Sequence, residues 1–515
     1  SIPREIARMT SENPILWEAS QERLRQSHLV QLQHRIHDQY GLTSFDYRGL
    51  HEWSVGHTSE LWQEVADYCD IRWQQQPTRA WVPPPTGKMR GSRWFENGRM
   101  NFAENLLWAP DDQVAIQAWA EGSKSRQLTY AELRRQVAKA THALRALGVG
   151  KGDRVAGVVA NVPEAVIAML AAASLGAIWS SCSPDFGVKG ILDRFAQIEP
   201  KVLFYTRRYC YGGIEYDLQE TAAEVTASLP QLQAEIAIDH LDHADQENPW
   251  QLWLDRQPEN AELSFAPLPF DHPLYIMFSS GTTGIPKCIV HGAGNTLLQH
   301  KKELQLHSDL KQEDRICYFT TCGWMMWNWV VSSLSVGATL VLYEGSPAYP
   351  SVARMWEFLA EYQVTHFGTS PKFLGATAKA GYTPKKESPL TLKTLLSTGS
   401  PLLPEQFDWV YDNVASDLHL SSISGGTDII SCFMLGNLLD PVRRGEIQGA
   451  GLGMAIASWD DSGKPVVGQK GELVCTKPFP SMPLRFWNDP EDKLYTKAYF
   501  SHYTNGQEVW RHGDY

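Results

Sequence analysis

The stretch Arg154–Ser181, RVAGVVANVPEAVIAMLAAASLGAIWSS, decides the fold. Its first part, Arg154–Ala160, is a short apolar run that predicts a buried strand, and its last part, Ala177–Ser181, predicts a second one. The residues between them predict a helix that Gly176 ends. A strand, a helix and a strand in this order form a βαβ unit, so we expect a parallel sheet.

The same alternation continues on both sides of this unit. Upstream, Thr129 and Glu132 have the spacing of a capping box and predict the start of a helix that ends near Gly148. Downstream, further short apolar runs predict strands, and they are Tyr275–Phe278, Ala338–Tyr343, Val364–Gly368, Leu392–Leu396 and Leu418–Ile423. Strands that alternate with helices predict an α/β doubly wound architecture.

A chain of 515 residues is longer than one hydrophobic core usually holds, so several subdomains are expected. Residues 1–80 are rich in Trp, Gln and charge and predict a helical N-terminal extension. Residues 81–435 carry the alternating pattern, and we expect two α/β subdomains there. Residues 436–515 are rich in glycine and proline, which predicts a small β-rich, barrel-like subdomain.

Composition limits the classes of function. The net charge of −12 argues against a general binder of nucleic acid or acidic membranes. The 8 cysteines are scattered, which predicts free thiols in a reducing cytoplasm. The first ten residues have no apolar core of a secretory signal peptide. The uncharged run Ile316–Tyr343 could span a membrane by length, but its serines and glycines favour a buried helix followed by a strand.

A second stretch, Ser279–Lys287 with the sequence SSGTTGIPK, has the composition of a phosphate-binding loop. Glycines let the backbone approach an anion, hydroxyl and N–H groups bind phosphate oxygens, and Lys287 adds a charge. The residues expected to bind phosphate are Ser279, Ser280, Gly281, Thr282, Thr283, Gly284 and Lys287. The alternative is a flexible loop without a ligand. The spacing differs from the Walker sequence, because two residues separate Gly284 from Lys287.

This stretch resembles the signature loop of the adenylate-forming superfamily, which includes acyl-CoA synthetases, luciferases and peptide-synthetase adenylation domains. Three more segments arrive in the superfamily's order. Ser397–Pro401 (STGSP) resembles the turn that packs on adenine. Ser424–Asp428 (SGGTD) resembles the segment that reads aromatic-x-T-E in most members. Arg511–Tyr515 (RHGDY) resembles the segment whose Asp holds the ribose.

The resemblance implies a role for each candidate residue. Lys287 would bind the β- and γ-phosphates of ATP, and Thr427 would donate to the α-phosphate. Asp428 would hold Mg²⁺, directly or through a water, because it is one methylene shorter than the family's usual Glu. Asp514 would hold the ribose, although a solvated turn aspartate is the alternative. The residues of the adenine turn are Gly399, Ser400 and Pro401.

Within the superfamily, the segments 93–98 and 101–105 resemble the N-terminal pattern of the acetyl-CoA synthetase branch. That branch closes its acid pocket with a Trp at the position of Gly425, so the loss of an indole implies extra room of about 100 Å³. The residues implied to contact the acid are Trp324, Met325, Met326, Gly425 and Gly426. Plain core packing is the alternative for the Trp and Met side chains.

These features resemble the acetoacetate-activating members of the branch, and propionate, butyrate or a branched acid is the alternative substrate. A keto oxygen needs a donor, for which the candidates are Ser424, Asn328, Trp324 and Trp327. Arg207 and Arg208, near two glycines, resemble a stretch that contacts the 3′-phosphate of CoA. A solvated basic turn is an equal alternative for these arginines.

The implied reaction has two steps: MgATP activates the acid as its adenylate, and CoA then displaces AMP. The implied substrates are acetoacetate, ATP and CoA, all small molecules, with Mg²⁺ as cofactor. The family also has a C-terminal lid domain, which we expect to lie outside these 515 residues. A domain that only binds nucleotide is an alternative. A peptide-synthetase adenylation domain is disfavoured, because the acid-pocket candidates Gly425, Gly426, Met325 and Met326 offer no acidic side chain to hold an α-amine.

Overall fold

Two large sheets organise the chain. A computed structural model describes residues 12–242, 247–280, 284–504 and 506–513. The first sheet has seven strands; the first five pair in parallel, and each of the last two pairs antiparallel with the strand before it. In spatial order its strands are Ala234–Ile238, Val202–Thr206, Arg154–Val158, Ile178–Cys182, Pro273–Ser279, Lys287–Gly292 and Arg485–Phe486.

The second sheet also has seven strands, of which six are parallel and one edge strand is antiparallel. In spatial order they are His419–Ser422, Thr394–Ser397, His366–Thr369, Arg315–Tyr318, Thr339–Glu344, Val114–Ala120 and Arg126–Thr129. The predicted parallel sheet and α/β class are therefore confirmed. The exact strand bounds differ from the predicted ones by one to two residues at most ends.

Shorter strands form six small sheets. The two-stranded ones pair Ile15–Trp17 with Val442–Arg443, Arg208–Tyr211 with Ile214–Asp217, Leu268–Pro269 with Arg99–Met100, and Arg79–Val82 with Arg93–Glu96. The three-stranded ones contain Ser424–Gly426, Ser431–Leu435 and Gly449–Ala450, and Ile456–Trp459, Glu472–Cys475 and Trp510–Arg511. Both three-stranded sheets are antiparallel.

Helices cover the sheets and dominate the N-terminal region. The α-helices are Gln21–Gln26, His28–Tyr40, Tyr47–Gly56, Thr58–Tyr68, Phe102–Leu106, Tyr130–Ala146, Pro163–Ser174, Val188–Ile198, Gln219–Ala227, Pro249–Asp255, Ala293–Lys301, Met325–Val331, Ala353–Glu361, Pro371–Lys379, Pro384–Glu387, Pro404–Asn413 and Lys493–Tyr499. Lys302–His307 is a π-helical continuation, and Ser332–Val336 and Pro490–Asp492 are 3₁₀-helices. The capping box at Thr129 and Glu132 is present.

The uncharged run from Ile316 forms the predicted buried helix, Met325–Val331, then a 3₁₀ turn that ends at Gly337 and the predicted strand. The strand Arg315–Tyr318 at its start was not predicted. All seven residues of that helix are buried. Among the described residues, no helix is long and apolar enough to cross a membrane.

The carboxyl ends of the two sheets face each other. The Ser181 hydroxyl, at the end of a strand of the first sheet, donates to the Cys322 carbonyl, which follows a strand of the second sheet, at 2.7 Å. The Asn161 N–H likewise donates to the Glu344 carboxylate at 2.9 Å. Ligands of open α/β sheets bind beyond the carboxyl ends of the strands, so this junction is where a site is expected.

Candidate active site

The proposed phosphate loop connects two antiparallel strands of the first sheet. Ser279 ends one strand and pairs in register with Lys287, which begins the next. Gly281, Thr282 and Thr283 lie outside the described residues, so their predicted contacts stay predictions. Gly284 has a φ of 93°, a conformation that favours glycine. A loop between two strands differs from a Walker loop, which leads from a strand into a helix.

Lys287 reaches the second signature segment. Thr427 and Asp428 lie in the turn of a hairpin formed by Ser424–Gly426 and Ser431–Leu435. The Lys287 ammonium is 3.1 Å from Asp428 Oδ1. The Tyr499 hydroxyl donates to the same oxygen. Two of the predicted catalytic residues, far apart in sequence, are therefore in direct contact.

Aromatic rings pack against the Lys287–Asp428 pair. The Lys287 ammonium lies 5.2 Å from the centre of the Tyr499 ring, a cation–π distance. Tyr499 in turn stacks on Trp510, with ring centres 3.8 Å apart and an angle of 14° between the planes. The predicted motifs do not include Tyr499. Its only sequence signal is its position in an aromatic-rich segment before Arg511.

The charge state of Asp428 suits a metal ligand. Burial alone would raise the pKa of this carboxyl, but the Lys287 charge, the Tyr499 hydroxyl and the charge of His512 outweigh burial and lower it. Mg²⁺ is usually held by one or two carboxylates together with substrate phosphates. The described residues contain no cluster of three or more acidic, His or Cys side chains that could hold a metal. A single carboxylate with a lowered pKa fits a Mg²⁺ ion whose other ligands would be phosphate oxygens and water.

We predict that Tyr499→Phe raises the pKa of Asp428, because the variant removes a hydrogen bond to its charged form but keeps the stacked ring. Since the folded pKa is depressed, the carboxylate is lost as pH falls through that pKa. The acid limb of Mg²⁺-dependent ATP binding should therefore move to higher pH. Parallel titrations of wild type and variant measure the difference, and coincident acid limbs would contradict it.

A buried histidine forms a hydrogen bond with the backbone of Thr427. His291 Nε2 lies 2.9 Å from the Thr427 carbonyl oxygen and donates to it. Burial lowers the pKa of His291 to about 4, so the ring is neutral near pH 7. A second buried ring, His300, contacts the Ile430 carbonyl at 2.6 Å and the Ser332 hydroxyl at 2.8 Å. These two histidines fix the turn that carries Thr427, and the sequence motifs did not reveal them.

The proposed adenine turn follows strand Thr394–Ser397 at the carboxyl end of the second sheet. Gly399, Ser400 and Pro401 are exposed there. Thr398, just before them, shares a hydrogen bond of 2.6 Å with the Tyr318 hydroxyl. The ribose candidate Asp514 lies outside the described residues. Its neighbour His512 is near the hairpin, because its ring centre is 4.7 Å from that of Phe433.

The space around Gly425 is limited by the facing strand of the hairpin. A Cβ atom there would lie 2.2 Å from the Ser431 carbonyl oxygen and 2.8 Å from Cys432 Cα, both backbone atoms of the facing strand. An indole at this position has no free space in this backbone, so Gly425 permits a close strand approach. A Cβ at Gly426 would meet only the His512 ring, at 3.5 Å, an ordinary contact.

The residues proposed to contact the acid begin the helix Met325–Val331. Trp324 precedes this helix and is 61% exposed, whereas Met325 and Met326 are buried. The turn lies against the first sheet, because a Cβ at Gly323 would be 3.1 Å from the Ser183 nitrogen. In the described part of the chain, Trp327 Nε1 has no hydrogen-bond partner although it is buried. Among the four candidate donors for a keto oxygen, it is the one with a buried N–H group that lacks a partner.

The two arginines proposed to bind CoA both lie beside Asp239. Arg208 donates to Asp239 at 2.6 Å, and the two side chains are 8% and 5% exposed. Arg207 lies 3.6 Å from the same carboxylate. The nearby turn is also occupied, because the N–H groups of Gly212 and Gly213 donate to Glu121 at 3.0 and 2.9 Å. The structure contradicts the prediction that Arg208 is available to CoA, since it is a buried ion-pair partner.

We predict that Arg208→Met lowers the free energy of unfolding by about 3 kcal/mol, because it leaves a buried carboxylate without its closest partner. The Michaelis constant for CoA should stay unchanged. Arg207→Met is the matched control and should cost much less stability. Thermal unfolding and CoA titration of both variants measure the two effects. A stable Arg208→Met protein with weakened CoA binding would restore the arginine to the CoA site.

Two protein-family models match the chain. The family described as AMP-binding enzyme matches residues 103–482. The family described as acetyl-coenzyme A synthetase N-terminus matches residues 47–106. Acetoacetyl-coenzyme A synthetase of Rhizobium meliloti is 46% identical over 512 residues, which covers 98% of this chain and 78% of the relative.

Two other relatives extend the comparison. Malonamoyl-CoA synthetase of Penicillium aethiopicum is 39% identical over 93% of this chain and 69% of its own length. The solved structure of acetoacetyl-CoA synthetase from Streptomyces lividans superposes with a TM-score of 0.91 at 41% identity, and covers 97% of this chain and 78% of that one. The chain therefore belongs to the AMP-binding enzyme family, in the group that includes the acetoacetyl-CoA synthetases.

Proposed function

We propose that the protein activates acetoacetate as acetoacetyl-AMP and transfers the acyl group to CoA, with release of pyrophosphate and AMP. The observation that carries this proposal is the contact between Lys287 and Asp428 at 3.1 Å. It joins the phosphate loop to the nucleotide hairpin at the carboxyl ends of the sheets. The names of the relatives support the choice of acid.

In the first step, the acid carboxylate attacks the α-phosphorus of ATP, and pyrophosphate leaves. Lys287 exchanges Asp428 for the β- and γ-phosphates and offsets their charge, while Thr427 donates to the α-phosphate. A Mg²⁺ ion held by Asp428 would supply further charge compensation. The protein itself forms no bond to the substrate, so catalysis rests on positioning and electrostatic stabilisation.

In the second step, the CoA thiol loses its proton to solvent and attacks the acyl carbon, and AMP leaves with the electron pair of the broken acyl–oxygen bond. No protein thiol is placed for a covalent intermediate, because seven of the eight cysteines are buried and Cys210 alone is partly accessible. Burial raises the pKa of Cys322, which keeps the thiol near the proposed acid site protonated. All eight cysteines are free thiols, which supports a cytoplasmic location.

A second candidate acid is malonamate. One relative is a malonamoyl-CoA synthetase at 39% identity. Malonamate has the shape of acetoacetate with an amide NH₂ in place of the methyl group. Both acids have a carbonyl oxygen at C3, so the Trp327 N–H could donate to either one. The preference between acetoacetate and malonamate depends on whether the end of the pocket is apolar, which suits a methyl group, or accepts hydrogen bonds, which suits an NH₂ group.

A substrate panel tests these candidates. Pyrophosphate release and CoA thioester formation are measured for acetate, propionate, butyrate, isobutyrate, malonamate and acetoacetate with the natural full-length protein. We expect the highest kcat/KM for acetoacetate. A preference for malonamate or a simple acid would replace the proposed substrate. ATP binding without pyrophosphate release for any acid would leave only a nucleotide-binding domain.

A further inference from the structure

A carboxylate is buried in the core where the acid side and the nucleotide side of the site meet. Glu303 belongs to the π-helical segment Lys302–His307, and its side chain is 0% exposed. π-Helical turns inside α-helices occur often at functional sites. Glu303 is not among the residues that the proposed mechanism uses.

The two oxygens of Glu303 hold two different elements. Oε1 accepts a hydrogen bond of 3.0 Å from the indole N–H of Trp329, in the helix Met325–Val331 that begins at the acid candidates. Oε2 accepts a bond of 2.9 Å from the backbone N–H of Cys432. Cys432 pairs in register with Gly425 and lies on the hairpin that carries Asp428. One side chain therefore joins both candidate walls of the acid site.

Stability alone gives no reason to bury this charge. The nearest cation is Lys302, whose ammonium is 3.9 Å away and also 0% exposed. Lys302 donates to the Leu452 carbonyl at 2.9 Å. Apolar side chains of similar volume often replace a buried ion pair at no cost in stability. An apolar side chain, however, could not accept a hydrogen bond from the N–H group on either side.

We propose that Glu303 is a positioning residue that sets the distance between the helix Met325–Val331 and the strand Ser431–Leu435, and thereby the size of the acid pocket. This inference rests on the proposed function of the site. Glu303 acts through Trp329 and Cys432 and does not touch the substrate. Each of its two oxygens supplies the acceptor for one of these N–H groups.

The test is Glu303→Gln. The amide has the volume of the carboxyl, but it turns its NH₂ group toward either the Trp329 N–H or the Cys432 N–H, so one buried donor faces another. We expect kcat/KM for the best acid to fall about 5- to 150-fold, the effect of one unsatisfied buried donor. We call kcat/KM for that acid divided by kcat/KM for acetate the acid ratio. It should change at least about fivefold. The Michaelis constant for CoA should stay within about twofold.

Trp329→Phe is the second variant, and it keeps the carboxylate and its bond to Cys432. It should also change the acid ratio, and it serves as the test if Glu303→Gln does not fold. Trp356→Phe is the matched control, because Trp356 is fully buried and its indole N–H donates to Thr377 at 3.1 Å, in a different core cluster. The control should lower the melting temperature and leave the acid ratio unchanged.

The variants test the role of Glu303, and the substrate panel tests the proposed acid. If the acid ratio of Glu303→Gln and of Trp329→Phe stays within twofold of wild type, Glu303 is merely structural and the proposal is overturned. If the best acid in the panel is not acetoacetate, the proposed function fails, while the ratio for that acid still tests Glu303.

Discussion

Gly425→Trp is expected to lose activity with acetoacetate, butyrate and acetate alike, by more than about 100-fold, the cost of misplacing reacting groups by about 1 Å. Any Cβ at this position would meet the Ser431 carbonyl oxygen at 2.2 Å. The hairpin strands must separate to admit it, and this displaces Asp428 in the turn. The sequence alone suggests the opposite result, a loss for acetoacetate with acetate spared.

The measurement is kcat/KM for the three acids together with thermal unfolding. Gly425→Ala should already cost about 3 kcal/mol of stability, at the upper end for an overpacked site, because the clash is with backbone. Gly426→Ala is the control on the neighbouring residue and should be nearly neutral, since its Cβ meets only the His512 ring at 3.5 Å. Retention of acetate activity by Gly425→Trp would show that the hairpin adapts and that the indole enters the acid pocket.

Lys287→Ala is expected to slow adenylate formation by about 10²–10³-fold, the usual cost of removing one stabilising group from a transition state. The variant removes a charge from the β- and γ-phosphates. It also leaves Asp428, 3.1 Å from the missing ammonium, with fewer groups that stabilise its charge. ATP affinity should fall as well, because the lysine binds the ground state too.

A double-mutant cycle with Asp428→Asn separates these two effects. If the lysine acts on phosphate and the carboxylate on Mg²⁺, both single variants should be slow, and the double variant should be slower still. If the two residues only pair with each other, the second substitution should add nothing to the first. Pyrophosphate release under single-turnover conditions is the appropriate measurement. An unchanged rate in Lys287→Ala would remove the phosphate loop from the mechanism.

The sequence by itself determined the local structure and the identity of the main candidates. The βαβ unit of Arg154–Ser181 and the capping box at Thr129 follow from patterns of neighbouring residues, because periodicity and capping act within a few residues. Lys287 and Asp428 were assigned from short motifs. The structure brings these two residues into contact.

The tertiary structure alone decided what surrounds them. Tyr499 contacts Asp428 from 71 residues away, and Glu303 reaches Cys432 across 129 residues. Gly425 suggests extra pocket volume in the sequence, and the structure adds that it lies at a close approach of two strands. Arg208 looked like a phosphate ligand and proved to be paired with Asp239. The physical reason is that burial and close packing act between residues distant in sequence, and a short motif carries no record of those partners.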